Sequence, residues 1–190
     1  MINMKKKKMN SIKLFSSVVL TFFTLVIFGQ TIVSTSPENK KVVLEEFTGL
    51  HCGWCPDGHT IAQNIQNNNP ESVFLINIHQ GGYSNPGNGE PDFRTPFGNS
   101  LAAQVGANFY PSGTINRNSN ALSRGSWNGV ANSVLGQNSN VNVAFEANID
   151  VQTNELTVHL EAFYTSDSPE DSNLLNIALL QNNTLGPQTD

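Results

Sequence analysis

The sequence predicts an α/β domain followed by an antiparallel β region. Two observations carry the first part. Apolar runs of strand length lie at residues 42–47 and 73–78, and the segment between them places Ile61, Ala62 and Ile65 at helical spacing. The third observation is a change of period. From Val141 onward, Val143, Phe145, Ala147, Ile149 and Val151 alternate with polar residues, as a half-buried antiparallel strand requires.

Taken in order, the chain opens with lysines up to Lys13, then an apolar run over 14–28, then Gly29. That pattern predicts a secretory signal peptide over 1–29, cut after Gly29. The run of 15 residues falls short of the roughly 20 that span a bilayer. Residues 30–39 are polar with a proline and read as a linker. The first strand begins at Val42 and ends at Thr48-Gly49, and two cysteines follow at once. The helix that starts near Pro56 stops at the cluster Asn67, Asn68, Asn69, Pro70. A second buried strand covers 73–78.

Residues 80–99 form a long stretch dense in Gly and Pro, and a loop of roughly 20 residues in a compact domain is usually functional or disordered. Leaving the sheet just after His79, it emerges at the cysteine edge, and Tyr83, Phe93 and Phe97 favour a loop that packs as a lid. A short helix is expected over 100–105, a proline-led strand over 110–115, and a helix carrying Trp127, Val130, Ala131 and Val134, with Ser126 as its N-cap. Beyond 136–140, alternating strands on either side of a turn at 152–155 make a hairpin, and 174–180 is expected to add a third strand. Three strands with one apolar face need a partner layer, so the β-rich region at 140–190 reads as incomplete, part of a longer protein.

Charge excludes one class of partner. Of the 10 Lys and Arg, five lie in the first thirteen positions, which leaves Lys40, Lys41, Arg94, Arg117 and Arg124 against 15 Asp and Glu. Such a chain has no basic stripe for a phosphate backbone, so nucleic acid is not an expected partner.

The two cysteines, Cys52 and Cys55, stand in His51-Cys52-Gly53-Trp54-Cys55-Pro56. A bridge across two residues closes almost no loop and constrains the unfolded chain little, so the pair points to chemistry. A strand, then Cys-x-x-Cys, then a helix places the first sulfur where unsatisfied N–H groups and the helix dipole stabilise a thiolate.

At these residues the chain resembles the thioredoxin and protein disulfide isomerase superfamily. Glu46-Phe47 stands six residues before Cys52, where that superfamily places a buried acid and an aromatic residue; residues 73–78 match its next strand; residues 105–112 look like the segment carrying its cis-proline. The resemblance implies a thioredoxin-like three-layer α/β/α domain over about 40–136, followed by the incomplete, sandwich-like antiparallel region. A narrower resemblance, carried by Glu45-Glu46-Phe47-Thr48-Gly49 and Cys52 to Pro56, is to the thioredoxin-like outer-membrane protein family of Bacteroidetes-type bacteria. It implies export to the periplasm, outer membrane or cell surface, and outer-membrane association.

What the resemblance implies for the site is a redox-active Cys52–Cys55 disulfide with no other cofactor, protein thiols or disulfides as substrates, and a redox partner protein. Cys52 would attack, Cys55 would resolve, Glu46 would relay the proton of Cys55, and Trp54, Tyr110 and Pro111 would line the substrate groove. The chain departs from thioredoxin in His51, in the pair Gly53-Trp54, in the insertion at 80–99, and in Leu75, which stands roughly where a lysine pairs with the buried acid. Without that cation, burial should raise the pKa of Glu46.

Two other readings stay open. One is a binding or surface-structural protein that keeps the fold without catalysis. The other is a metal site: Cys55 and His59 share a helix face and His79 ends the second strand, so Cys52, Cys55, His59 and His79 could form a Cys₂His₂ set. Haem attachment needs a histidine directly after Cys55, where Pro56 stands, and His159 points away from the apolar face of its strand.

Overall fold

The structure, a computed structural model, describes residues 31–189, and the expected signal peptide lies outside them. No described helix is long and apolar enough to cross a membrane.

A mixed four-stranded sheet forms the frame: β1 (Val42–Thr48), β2 (Val73–His79), β3 (Ser112–Ile115) and β4 (Leu122–Ser123), in the order β2-β1-β3-β4. β1 and β2 run parallel, in register from Val42 opposite Val73 to Thr48 opposite His79. β3 runs antiparallel to β1, with Leu44 opposite Ile115 and Phe47 opposite Ser112, and β4 runs antiparallel to β3. The parallel pair needs a crossover, and α1 (Cys55–Asn68) supplies it. Pro56 and Asp57 in its first turn suit a helix start, the one because its missing N–H is not needed there, the other because its charge complements the dipole. At the other end the Asn69 side chain donates to the Ile65 carbonyl at 2.9 Å and closes the last turn.

The period of two divides β1 between two helical layers. Val42 and Leu44 join Ala62 and Ile65 of α1 and Trp127, Ala131 and Val134 of α3 (Trp127–Leu135) in one buried cluster. Phe47 joins Ile78 and, from α2 (Gly98–Val105), Ala102 and Val105 in a second. The sheet is therefore sandwiched, α1 and α3 on one face and α2 on the other, which is the thioredoxin-like α/β arrangement. The expected cap of α3 does not form. Ser126 makes no side-chain capping bond; the helix is anchored instead by Trp127, whose indole N–H donates to the Leu122 carbonyl at 3.1 Å.

The expected hairpin is present as β5 (Val141–Asp150) and β6 (Glu155–Tyr164), a separate two-stranded sheet. Its turn is closed by Asp150, whose carboxylate accepts from the Gln152 N–H at 2.8 Å, and Asn154 takes a left-handed φ of 57°. The third strand expected over 174–180 does not form, and Leu174 and Leu179 are exposed. Apolar composition alone does not make a strand where no ladder takes up the backbone N–H and C=O groups. By packing, the described chain divides into two units, one of residues 35–142 with 162–189, the other of residues 31–34 with 143–161. Within the second, the Glu161 carboxylate accepts from the Ile32 N–H at 2.8 Å and meets His159 at 3.1 Å, so His159 has a carboxylate neighbour.

Candidate active site

β1 delivers the chain to the site through a tight turn. The Cys52 N–H donates to the Gly49 carbonyl at 3.2 Å, and the Cys55 N–H to the Cys52 carbonyl at 3.0 Å, which starts α1. Cys52 and Cys55 are joined in a disulfide with Cα atoms 5.4 Å apart. Cys55 is wholly buried and Cys52 is 3% exposed, while Trp54 between them is 68% exposed. The Trp54 ring centroid lies 5.3 Å from the guanidinium carbon of Arg124, which is also bonded to Asp57 of the first helical turn.

Pro111 follows a cis peptide bond from Tyr110. Since Phe47 pairs with Ser112, Pro111 sits at the cysteine end of β1. It also packs on α1: a Cβ added to Gly58 would come within 2.9 Å of the Pro111 ring and 2.6 Å of Glu46 Oε1. Glycine at 58 is thus what lets the helix, the cis-proline and the buried acid close on one another.

Glu46 is 1% exposed. Its Oε2 shares a hydrogen bond of 3.0 Å with His59 Nδ1, and His59 Nε2 lies 3.3 Å from Thr48 Oγ1. Its Oε1 is buried and has no hydrogen-bond partner among the described residues. Burial raises the pKa of Glu46 above the usual carboxylate range, and the hydrogen bond and charge of His59 oppose that rise. The direction is the one expected from the sequence, but the surroundings differ: Leu75 supplies no charge, yet Glu46 has a partner in His59. The spacing carries a signal for it. Glu46 and Thr48 share one face of β1, and His59, four residues beyond Cys55, is carried onto that face by α1.

His59 has this bond, and the other residues of the metal reading have contacts of their own. Cys52 and Cys55 are bonded to each other, His59 to Glu46, and His79 packs edge-on against Phe93 with ring centroids 5.2 Å apart. Among the described residues no group of three or more His, Cys, Asp or Glu is placed to hold a metal ion. Burial, with the charge of His59 adding to it, lowers the pKa of His79.

The insertion after β2 packs against the site. The Tyr83 carbonyl accepts the His51 N–H at 2.9 Å, Ser84 Oγ donates to the Thr48 carbonyl at 2.8 Å, and Glu90 Oε2 lies 2.9 Å from His51 Nε2. Gly49 is required here, because a Cβ would meet the Tyr83 backbone at 2.5 Å. Tyr110 turns toward this loop, its hydroxyl bonded to Gln80 and its ring edge-on to Tyr83 at 5.6 Å. Sequence reasoning misses a further neighbour: the Gln188 amide donates to the carbonyls of Gly49 and Cys52, each at 3.2 Å, and the Thr189 N–H to that of Leu50 at 2.8 Å. No periodicity or motif marks those residues.

No family model matches the chain. No curated protein matches it either. Among solved structures it is similar to HBP35 of Porphyromonas gingivalis, with 25% identity and a TM-score of 0.44, over 58% of this chain and 38% of that one. It is also similar to a structural-genomics protein of Agrobacterium tumefaciens, with 16% identity and a TM-score of 0.40, over 61% of this chain and 55% of that one. The chain thus spans less than two thirds of either neighbour's length.

Proposed function

We propose that the chain is an exported thiol–disulfide oxidoreductase acting on protein disulfides through Cys52 and Cys55. One observation carries the reading: its two cysteines are bridged at the start of α1, beside a cis-proline and a buried glutamate. A bridge across two residues adds little stability, whereas at a helix start it can be opened to a stabilised thiolate. In the reduced form, the Cys52 thiolate attacks a substrate disulfide and expels one substrate thiolate. Cys55 then loses its proton and attacks Cys52, reforming the bridge and releasing the second substrate thiolate. The substrate gains two electrons, which a redox partner protein restores to the cysteine pair. Trp54, Tyr110 and Pro111 border the groove for the substrate backbone. The lysine-led apolar leader supports export, and we place the protein in the periplasm or at the outer membrane.

A second reading rests on burial. With both sulfurs covered and the 80–99 insertion and Gln188 on the same turn, the bridge can instead fix the geometry of a binding protein. Turnover separates the two. Cys52→Ser should abolish reduction of insulin by the full chain, while Cys55→Ser should accumulate mixed disulfides visible by mass; wild-type turnover in both variants would remove the redox reading and leave the binding one.

A further inference from the structure

The Glu46–His59 pair is more than an acid with a counter-charge, because its two ends lie in different surroundings. Glu46 is 1% exposed, whereas the His59 side chain is 30% exposed. Of the two carboxyl oxygens, Oε2 is held by His59 Nδ1 at 3.0 Å and Oε1 has no partner. That free oxygen rests against the first turn of α1, the turn that begins with Cys55. Thr48 Oγ1 fixes the far side of the imidazole at 3.3 Å. His79 of β2 feels the charge of His59, and Leu75 and the Pro111 ring bring no charge to the site.

We propose that His59 is the positioning residue of Glu46: its Nδ1–H holds Oε2 so that Oε1 is left for the Cys55 proton, and the same bond favours the carboxylate once that proton has left. The proposal rests on the redox reading above and adds to it the group that orients the buried base. In the resolving step Glu46 takes the proton from the Cys55 thiol. The Cys55 sulfur attacks the Cys52 sulfur; the Cys52–Cys55 bond forms as the bond from Cys52 to the substrate sulfur breaks. The substrate sulfur leaves as a thiolate and takes a proton from water. Over these two steps the cysteine pair is oxidised by two electrons and the substrate reduced by two. Glu46 then gives its proton up to water, and the carboxylate is again held by the Nδ1–H of His59.

Burial raises the pKa of Glu46 and His59 opposes the rise, so removing His59 must raise it further. A base that has to be ionised then works only at higher pH. The test uses the reduced full chain and dithionitrobenzoate, which releases one chromophore when Cys52 attacks and a second when Cys55 resolves. His59→Ala should leave the first phase unchanged, slow the second by about tenfold near pH 7, and move its acid limb to higher pH. Added imidazole should restore part of the rate. His59→Gln, whose amide can still donate to Oε2, guards against misfolding of the alanine variant and should slow the second phase less while resisting rescue. In parallel, the Glu46 carboxyl is titrated by carbon NMR in the oxidised protein, where no turnover is needed, and its midpoint should rise in His59→Ala. An unmoved midpoint, or a second phase that superimposes on wild type, overturns the role of His59. Absence of both phases in wild type is a different result and sinks the redox reading itself.

Discussion

The two faces of the central sheet treat neighbouring glutamates in opposite ways. Glu45 turns toward the α2 face, where the Arg117 guanidinium meets both of its oxygens, Nε at 2.7 Å. Arg117 itself is held on a left-handed turn next to Asn116, whose side chain accepts from the Val43 N–H at 2.7 Å and donates to the Lys41 carbonyl at 2.9 Å. The bonds of Glu45 are thus made within a braced frame. Glu46, one residue on, faces α1, shares one bond with a histidine and keeps an oxygen free. A fully satisfied buried pair holds structure, and a half-satisfied one is available for proton transfer.

The largest effect that would test this contrast is on stability. Arg117→Ala strands the buried Glu45 charge, and should cost about 3 kcal/mol. His59→Ala should cost much less, because Glu46 can take up a proton when its partner is gone. Urea midpoints of the two variants with the disulfide intact decide the matter; equal losses would erase the distinction between the faces.

A smaller effect, of opposite sign at the two positions, concerns the carboxyls. Glu45→Gln weakens a bidentate bond and should destabilise by about 1 kcal/mol. Glu46→Gln removes a group that burial penalises when ionised. Because its folded pKa is raised above the unfolded value near 4.5, its contribution to stability is intact below about pH 4 and is lost as pH rises through the folded pKa. The Glu46→Gln variant should therefore match wild type near pH 4 and exceed it at pH 8, by about 1 kcal/mol or more. Unfolding curves at pH 4, 6 and 8 would show the gap open with pH; a constant gap would mean that Glu46 does not titrate in this range.

What is legible in the sequence depends on how local each signal is. β1, α1 and β2 are announced by apolar runs of the right length and by the Asn67 to Pro70 stop, all within reach of neighbouring residues. Cys-x-x-Cys is legible for the same reason, being a short motif on a predicted boundary, whereas the cis bond at Tyr110-Pro111 is expected only through the family resemblance. The Arg117–Glu45 pair is not, because it joins residues 72 apart through a turn whose geometry no pattern predicts. His59 stands out for its chemistry, and spacing puts it on the α1 face that meets Glu46 and Thr48, but spacing does not choose its partner there. The strand expected over 174–180 fails for the converse reason. Its composition is apolar, but strand formation needs a ladder, and that depends on where other strands end.

The smallest expected effect lies outside both faces, on the lip formed by Trp54, Asp57 and Arg124. These groups are bonded as the inner pairs are, with Arg124 over the Trp54 ring and against the Asp57 carboxylate, but in contact with water. Screening and side-chain entropy leave an exposed ion pair worth about 0–1 kcal/mol, and an exposed cation–π contact adds about 0.5–1 kcal/mol. Arg124→Ala should therefore shift the urea midpoint by well under the Arg117→Ala shift. Its signature should be spectroscopic instead. The chain has two tryptophans, and Trp127 is fully buried while Trp54 is exposed, so acrylamide quenching reports mainly on Trp54. Removing the guanidinium uncovers one side of that ring and should increase the quenching constant of the accessible fraction without altering the protected one. A destabilisation as large as that of Arg117→Ala would show that burial is not what separates the two ion pairs.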